Sequence, residues 1–397
     1  MSVRPDPGAS RSPPPLWSSG FRPFYLAGCL YGLLALGLWA AGQFGGRLAL
    51  PYDRALWHAH EMIFGFVAAL CGGFILTALP SWAGTAAVQG RLLMLLVGAW
   101  GLGRAGILAA AQLPPLATAL LDMVFVPLLL AVAGRQVWTV ANRLYRLLIP
   151  ILAMLALGNL AFHLGVLRAA PDLAHIGIRT AYYALMVLFS FVGGLLTPIF
   201  TESHLRGQAP GPGVVIGFRR PLEALAPAAL LVTAATELAG LGNAATGGAA
   251  LATALIHALR MASWRSGAVL ASPMLAAMHA GYAGLILSLG LQAAAALGAA
   301  IAPSAAVHAF TIGAMGLTKL SLMTRVALKH TGRDLRLSAV MVAGFAGMGL
   351  AALLRVMAGS GAVLAASAML WAAAIAVYLA LYGRFLLAPS LPRGTGP

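Results

Sequence analysis

Long stretches of this chain contain no Asp, Glu, Lys or Arg. Residues 23–46, 62–90, 147–167, 180–201, 238–259 and 356–383 are each at least 21 residues long, and 266–318 is one uncharged run of 53. A membrane-spanning helix needs about 20 apolar residues. The run of 53 therefore has room for two spans and a turn. Proline, glycine and arginine punctuate the apolar windows and divide the chain into twelve predicted helices. These cover 24–42, 57–79, 92–112, 115–134, 144–166, 173–199, 222–240, 243–260, 272–297, 304–327, 337–357 and 362–387. The expected fold class is all-α, a polytopic membrane protein whose first partner is the lipid bilayer.

Composition strengthens this reading. Hydrophobic residues make up 61% of the chain and charged residues 9%, against about 25% charged in an ordinary globular protein. That excludes a soluble enzyme and a disordered chain. The net charge of +16 raises the question of nucleic acid, but the basic residues are single arginines between apolar runs, so no nucleic-acid partner is expected. Eighteen Lys and Arg fall in the N-terminal tail, the even-numbered loops and the C-terminal tail, and four in the odd-numbered loops. This positive-inside bias predicts that both termini are cytoplasmic. Residues 1–22, with five prolines, read as a disordered cytoplasmic tail rather than a signal peptide. Residues 23–388 read as a single transmembrane domain, its halves joined by a cytoplasmic loop over 201–221, and 389–397 as a second tail. Cys29 and Cys71 both lie in apolar segments and are expected to be buried free thiols.

Depth can then be assigned to all nine histidines. His58, His60, His175 and His308 sit at the outer ends of the second, sixth and tenth spans, and His163 near the outer end of the fifth. His204, His257, His279 and His330 fall toward the cytoplasmic side. Imidazole within a bilayer is costly, and neutral imidazole is a common metal ligand. Without cysteine pairs and with few carboxylates, a histidine site suits heme iron or copper. The plainer alternative is an interfacial imidazole bonded to a backbone carbonyl. In His58-Ala59-His60-Glu61 the two rings lie about 200° apart on a regular helix. They either serve two centres or divide into a ligand and a supporting partner. Glu61 either anchors the interface, orients an imidazole or handles a proton. Gly65 and Gly313 follow His60 and His308 by five residues. Spans two, six and ten are also spaced four helices apart, a pattern of three four-helix units.

Arg104, Arg179 and Lys319 lie inside spans, as does Asp122. Arg104 and Asp122 match in depth across a tight hairpin and are expected to pair. In the alternative, Arg104 or Arg179 meets heme propionates. Lys319 lies about 16 Å deeper than His308. With Thr318, Ser321 and Thr324 it makes the inner half of span ten polar, which suits a proton or water path or a snorkelling lysine.

Several motifs are recognisable together. They are Phe21-Arg22-Pro23-Phe24; Trp57-His58-Ala59-His60-Glu61-Met62 with Phe64-Gly65-Phe66; Thr77-Ala78 with Pro80, Trp82 and Gly84; Asn159-Leu160 with Phe162-His163; Pro273 through His279 with Gly281-Tyr282; His308-Ala309 with Thr311 and Gly313-Ala314; Met323-Thr324-Arg325-Val326; and His330-Thr331-Gly332-Arg333. In combination they resemble the NnrS family of bacterial inner-membrane proteins. Lys319 and Glu202-Ser203-His204 depart from the family pattern. The resemblance implies heme b and copper, a link to nitric oxide and nitrosative stress, and His58, His60, His163, His279, His308 and His330 as matching histidines. Tyr282 falls among positions for proton handling or ligand support. The pattern of three four-helix units also resembles the main subunit of heme-copper oxidases, without that protein's histidine pair in span seven. No motif identifies an electron donor or a defined reaction. The competing functional reading is a secondary transporter of a metal or small solute, since twelve spans in two groups of six suit one. The third is a membrane scaffold with structural histidines.

Overall fold

A computed structural model of the chain describes residues 13–46, 50–208, 216 and 219–392. Among these it is helical, with turns between the helices. The twelve helices are α1 (Phe21–Phe44), α2 (Arg54–Trp82), α3 (Gly90–Leu108), α4 (Pro115–Trp138), α5 (Arg143–Leu167), α6 (Pro171–Arg206), α7 (Arg220–Leu238), α8 (Asn243–Ala262), α9 (Pro273–Ala296), α10 (Pro303–Lys329), α11 (Ala339–Val356) and α12 (Gly361–Leu387). Eleven are long and apolar enough to cross a membrane. The remaining one, α8, has 20 residues, rich in alanine, glycine and threonine, and occupies the place of the eighth expected span.

Local chemistry sets the helix starts. The Asp53 carboxylate accepts the Ala55 and Leu56 N–H groups at the head of α2. Prolines open α4, α6, α9 and α10, where a missing N–H costs nothing. Two ends differ from expectation. α6 runs through the first part of the expected 201–221 loop, and there Glu202 pairs with Arg206 one turn later and accepts the Ile216 N–H. The expected N-terminal tail shortens, because Pro15–Trp17 forms a 3₁₀ turn and α1 opens at Phe21. Residues 1–12 lie outside the described residues. At the other end, the buried Arg22 guanidinium donates to the carbonyls of Phe385, Leu386 and Ala388 and to Ser390 Oγ. The arginine of the opening motif thus caps the last helix and draws residues 388–390 onto the bundle. The rest of the expected C-terminal tail, 393–397, is outside the described residues.

Three helices form the centre. In α2, α6 and α10 the apolar windows are 89%, 83% and 67% buried, and none of the other eight measured windows exceeds 50%. Phe310 of α10 packs edge-on against Tyr182 and Phe189 of α6, and Lys319 of α10 lies over the Phe74 ring of α2. The four-helix spacing of these central spans is the one the sequence pattern predicts. Cys29 and Cys71 are buried and free.

Candidate metal centres

α2 and α10 share an unusual backbone. Directly after His60 the helix widens into a π turn over Glu61–Val67, and directly after His308 into another over Ala309–Gly316. In the first turn the Ala68 N–H reaches the Ile63 carbonyl five residues back. The Gly65 carbonyl there takes a hydrogen bond from Trp100 Nε1 of α3 at 2.9 Å. Gly65 itself lies under Tyr31, where a Cβ would sit 2.5 Å from the ring. Single π turns cluster at functional sites because they redirect side chains within a helix. Here the two histidines of α2 reach different surroundings.

His58 faces a cavity of about 360 Å³ walled by α1, α2, α6, α10, α11 and α12. His308, Arg179, Arg355, Met62, Met315, Trp39, Tyr182 and Trp371 also line it. The volume falls in the range of about 300–1,000 Å³ typical of small-molecule and cofactor sites. The His58 ring packs on Trp39 with centroids 4.9 Å apart, and its buried Nδ1 has no hydrogen-bond partner. His308 Nδ1 lies 2.7 Å from the Ser304 carbonyl. A carbonyl only accepts, so Nδ1 carries the proton and Nε2 keeps its lone pair, the tautomer needed to bind a metal. Arg179 pairs with Glu237, whereas Arg355 forms no salt bridge among the described residues. The cavity therefore offers two imidazoles, one uncommitted guanidinium and otherwise mostly apolar walls.

His60 belongs to a second group, fully buried between α2, α3, α4 and α5. Arg104 binds Glu61 Oε1 at 2.5 Å and also pairs with Asp122. Tyr31 donates to Glu61. The pairing of Arg104 with Asp122 follows from the hairpin of α3 and α4. Gly103 is close enough to α4 that a Cβ would sit 3.0 Å from Asp122 Oδ1. On the far side, Asp122 Oδ2 accepts from Asn159 Nδ2 and lies near His163 Nε2, both at 2.8 Å. α5 can present these two residues because its neighbouring face is glycine. Gly158 and Gly165 press on α6, where a Cβ would fall 2.8 and 2.4 Å from backbone atoms. His60, Asp122 and His163 each offer a ligand atom, all within 4.8 Å of one another.

The remaining predicted residues lie elsewhere. His279 contacts Thr201 Oγ1 and Ser266 Oγ, both at 2.8 Å, so its two nitrogens are already engaged. His330 is exposed and packs against Phe21. Neither joins the two groups above. Tyr282 meets His257 Nδ1 at 2.7 Å and Arg260 at 3.1 Å, in a separate cluster with Glu223 and Ser190. Arg104 is held by two carboxylates and does not line the cavity. Lys319 and Thr318 line a small cavity of about 20 Å³ with Cys71, room for about one water. Met315 borders both cavities. Sequence reasoning did not single out Arg355, which closes α11 at the end of the bundle where His308 opens α10. Matching depth, the argument that paired Arg104 with Asp122, identifies it equally well.

Compared with known families, residues 15–390 match the family described as NnrS protein. That assignment supports a protein related to the nitric oxide response and an association with metal binding. No curated protein matches the chain.

Proposed function

The chain belongs to the NnrS family, and from that premise we propose that it is a heme-containing inner-membrane protein that binds or processes nitric oxide and protects against nitrosative stress. The observation that carries the reading is the cavity shared by His58 and His308, with its unpartnered buried Nδ1 and its preset His308 tautomer. Heme b fits this donor set. His58 and His308 would hold the iron, and Arg355 and Arg179 would meet the propionates, a charge-assisted contact that guanidinium makes well. Met62, Met315, Trp39 and Trp371 would bury the macrocycle. The heme would supply an iron that binds nitric oxide and exchanges single electrons.

The protein's own residues set the conditions around it. Ser304 holds one imidazole in the binding tautomer, and Trp39 fixes the plane of the other. The apolar walls exclude water, which lowers the local dielectric and strengthens the arginine contacts. By the positive-inside count the cavity opens toward the outer half of the bilayer, where nitric oxide dissolved in lipid arrives without crossing a charged surface.

Purified full-length protein from heme-supplied cells should show a Soret band that shifts when nitric oxide is added. His58→Ala and His308→Ala should each change or abolish that band. A protein that remains free of heme despite ample supply, and instead moves a solute into liposomes, would overturn the reading in favour of a transporter.

A further inference from the structure

We infer that His60, Asp122 and His163, with Asn159, form a second metal site, separate from the cavity and suited to one divalent first-row transition ion. The inference rests on the same reading, that the membrane-embedded histidines hold metals, and gives the copper implied by the family resemblance a defined place.

The first argument is geometric. His60 Nε2 lies 3.2 Å from Asp122 Oδ2 and 3.1 Å from Asn159 Oδ1, and His163 Nε2 lies 2.8 Å from the same Asp122 oxygen. Bonds of about 2.0–2.1 Å from an ion to N and O ligands place neighbouring ligand atoms about 2.9–3.4 Å apart. The two His60 separations match the edges of such a polyhedron, the His163 one is slightly shorter, and the three ligand atoms of His60, Asp122 and His163 lie within 4.8 Å of one another.

The second argument is a surplus of acceptors. Asn159 donates its Nδ2 to Asp122, so its Oδ1 must face His60. On its other side the ring places Nδ1 2.7 Å from Glu61 Oε1. Both nitrogens of His60 therefore face only oxygen acceptors, and a neutral imidazole has a single N–H. With that proton directed to Glu61, the Nε2 lone pair and the facing oxygens converge on a point that calls for a cation. The carboxylate behind Nδ1 is the partner that orients a metal-binding imidazole and raises its basicity. Arg104 balances one of the two carboxylates and leaves one negative charge for the ion.

The donor set narrows the ion. Two imidazoles, a carboxylate and an amide oxygen contain no sulfur, and both cysteines lie outside the group. Such nitrogen and oxygen donors suit Cu²⁺, Fe²⁺ or Zn²⁺. His58 and His60 would then tie one helix to two metal centres, with the π turn immediately behind them.

The test measures non-heme copper, iron and zinc in purified, chelator-washed full-length protein, alongside the Soret band and the electron paramagnetic resonance spectrum. About one non-heme ion per chain is expected, and for Cu²⁺ an axial signal with nitrogen hyperfine structure. Cells grown with added copper, iron or zinc distinguish the ions. His163→Gln keeps a hydrogen bond to Asp122 yet removes a nitrogen ligand, and should lose the ion while retaining the Soret band. Glu61→Gln should weaken Cu²⁺ binding about 10- to 100-fold, again without loss of heme. Full heme with no non-heme ion would overturn the site and leave His60 as a buried imidazolium. Unchanged ion content in His163→Gln would do the same, as would loss of heme and ion together.

Discussion

The two faces of α2 around His58 and His60 make opposite use of the same side chain. His60 lies in a network of charged and polar side chains, edged by the Phe64 and Phe162 rings, in which nearly every polar atom has a partner. His58 looks into an apolar cavity where its Nδ1 has none. A buried polar group without a partner costs about 1–3 kcal/mol, and of the two imidazoles only that of His58 carries it. A charged network holds its members in one arrangement even where it leaves a lone pair for an ion, whereas an imidazole beside an open cavity leaves room for a larger ligand. The difference separates a tight, charged pocket scaled to a single ion from an open, apolar one scaled to a larger ligand.

The largest effect should come from the satisfied face. Asp122→Leu leaves Arg104 facing Glu61 alone and strands Asn159 and His163. Removing one partner of a buried ion pair costs about 3–5 kcal/mol. The thermal midpoint in detergent should fall sharply, read by a thiol-reactive dye that reaches Cys29 and Cys71 only on unfolding. A wild-type melting curve would show that the network is not structural. Next is Gly65→Ala, whose Cβ would strike Tyr31 and force the π turn to shift. Overpacking of this kind costs about 1–3 kcal/mol, and the Soret band should broaden as His58 is displaced. On the open face, His58→Ala should remove heme yet leave the melting temperature of heme-free protein nearly unchanged. A large loss of stability there would dissolve the contrast between the faces. Arg355→Gln should speed heme loss to an apo-globin acceptor about 10- to 150-fold, the loss of one charge-assisted hydrogen bond of about 1.5–3 kcal/mol. The smallest effect belongs to His175→Ala at the exposed start of α6, which should stay within about 0.5 kcal/mol of wild type with an unchanged spectrum.

Much of the fold was legible in the chain because bilayer length and charge exclusion act on every span in the same way. The twelve helices, their Pro and Gly boundaries and the central role of α2, α6 and α10 follow from patterns of about 20 residues. α8 was the exception in kind, since its small residues pack against neighbours without being strongly apolar. The ends of the chain were harder to read. Arg22 counts as a tail charge by position, and only the fold brings the end of α12 to its guanidinium. The pairing of Arg104 with Asp122 was readable from matched depth. The separation of His58 from His60 was readable from the helical angle, but which histidine had which surroundings was not. That depends on which helices lie on each side of α2, a long-range fact with no local signature. Asp122 read as a counter-ion because its second oxygen meets α5, about 40 residues further along the chain. His279 and His330 match family motifs yet satisfy other contacts, since a motif preserves a residue without stating what it touches.

The most direct test is a cryo-electron microscopy map of purified, heme-supplied protein. A flat tetrapyrrole density is expected in the cavity, joined to His58 and His308 and flanked by Arg355. A map with lipid chains in that cavity and both imidazoles turned to backbone or solvent would contradict that expectation.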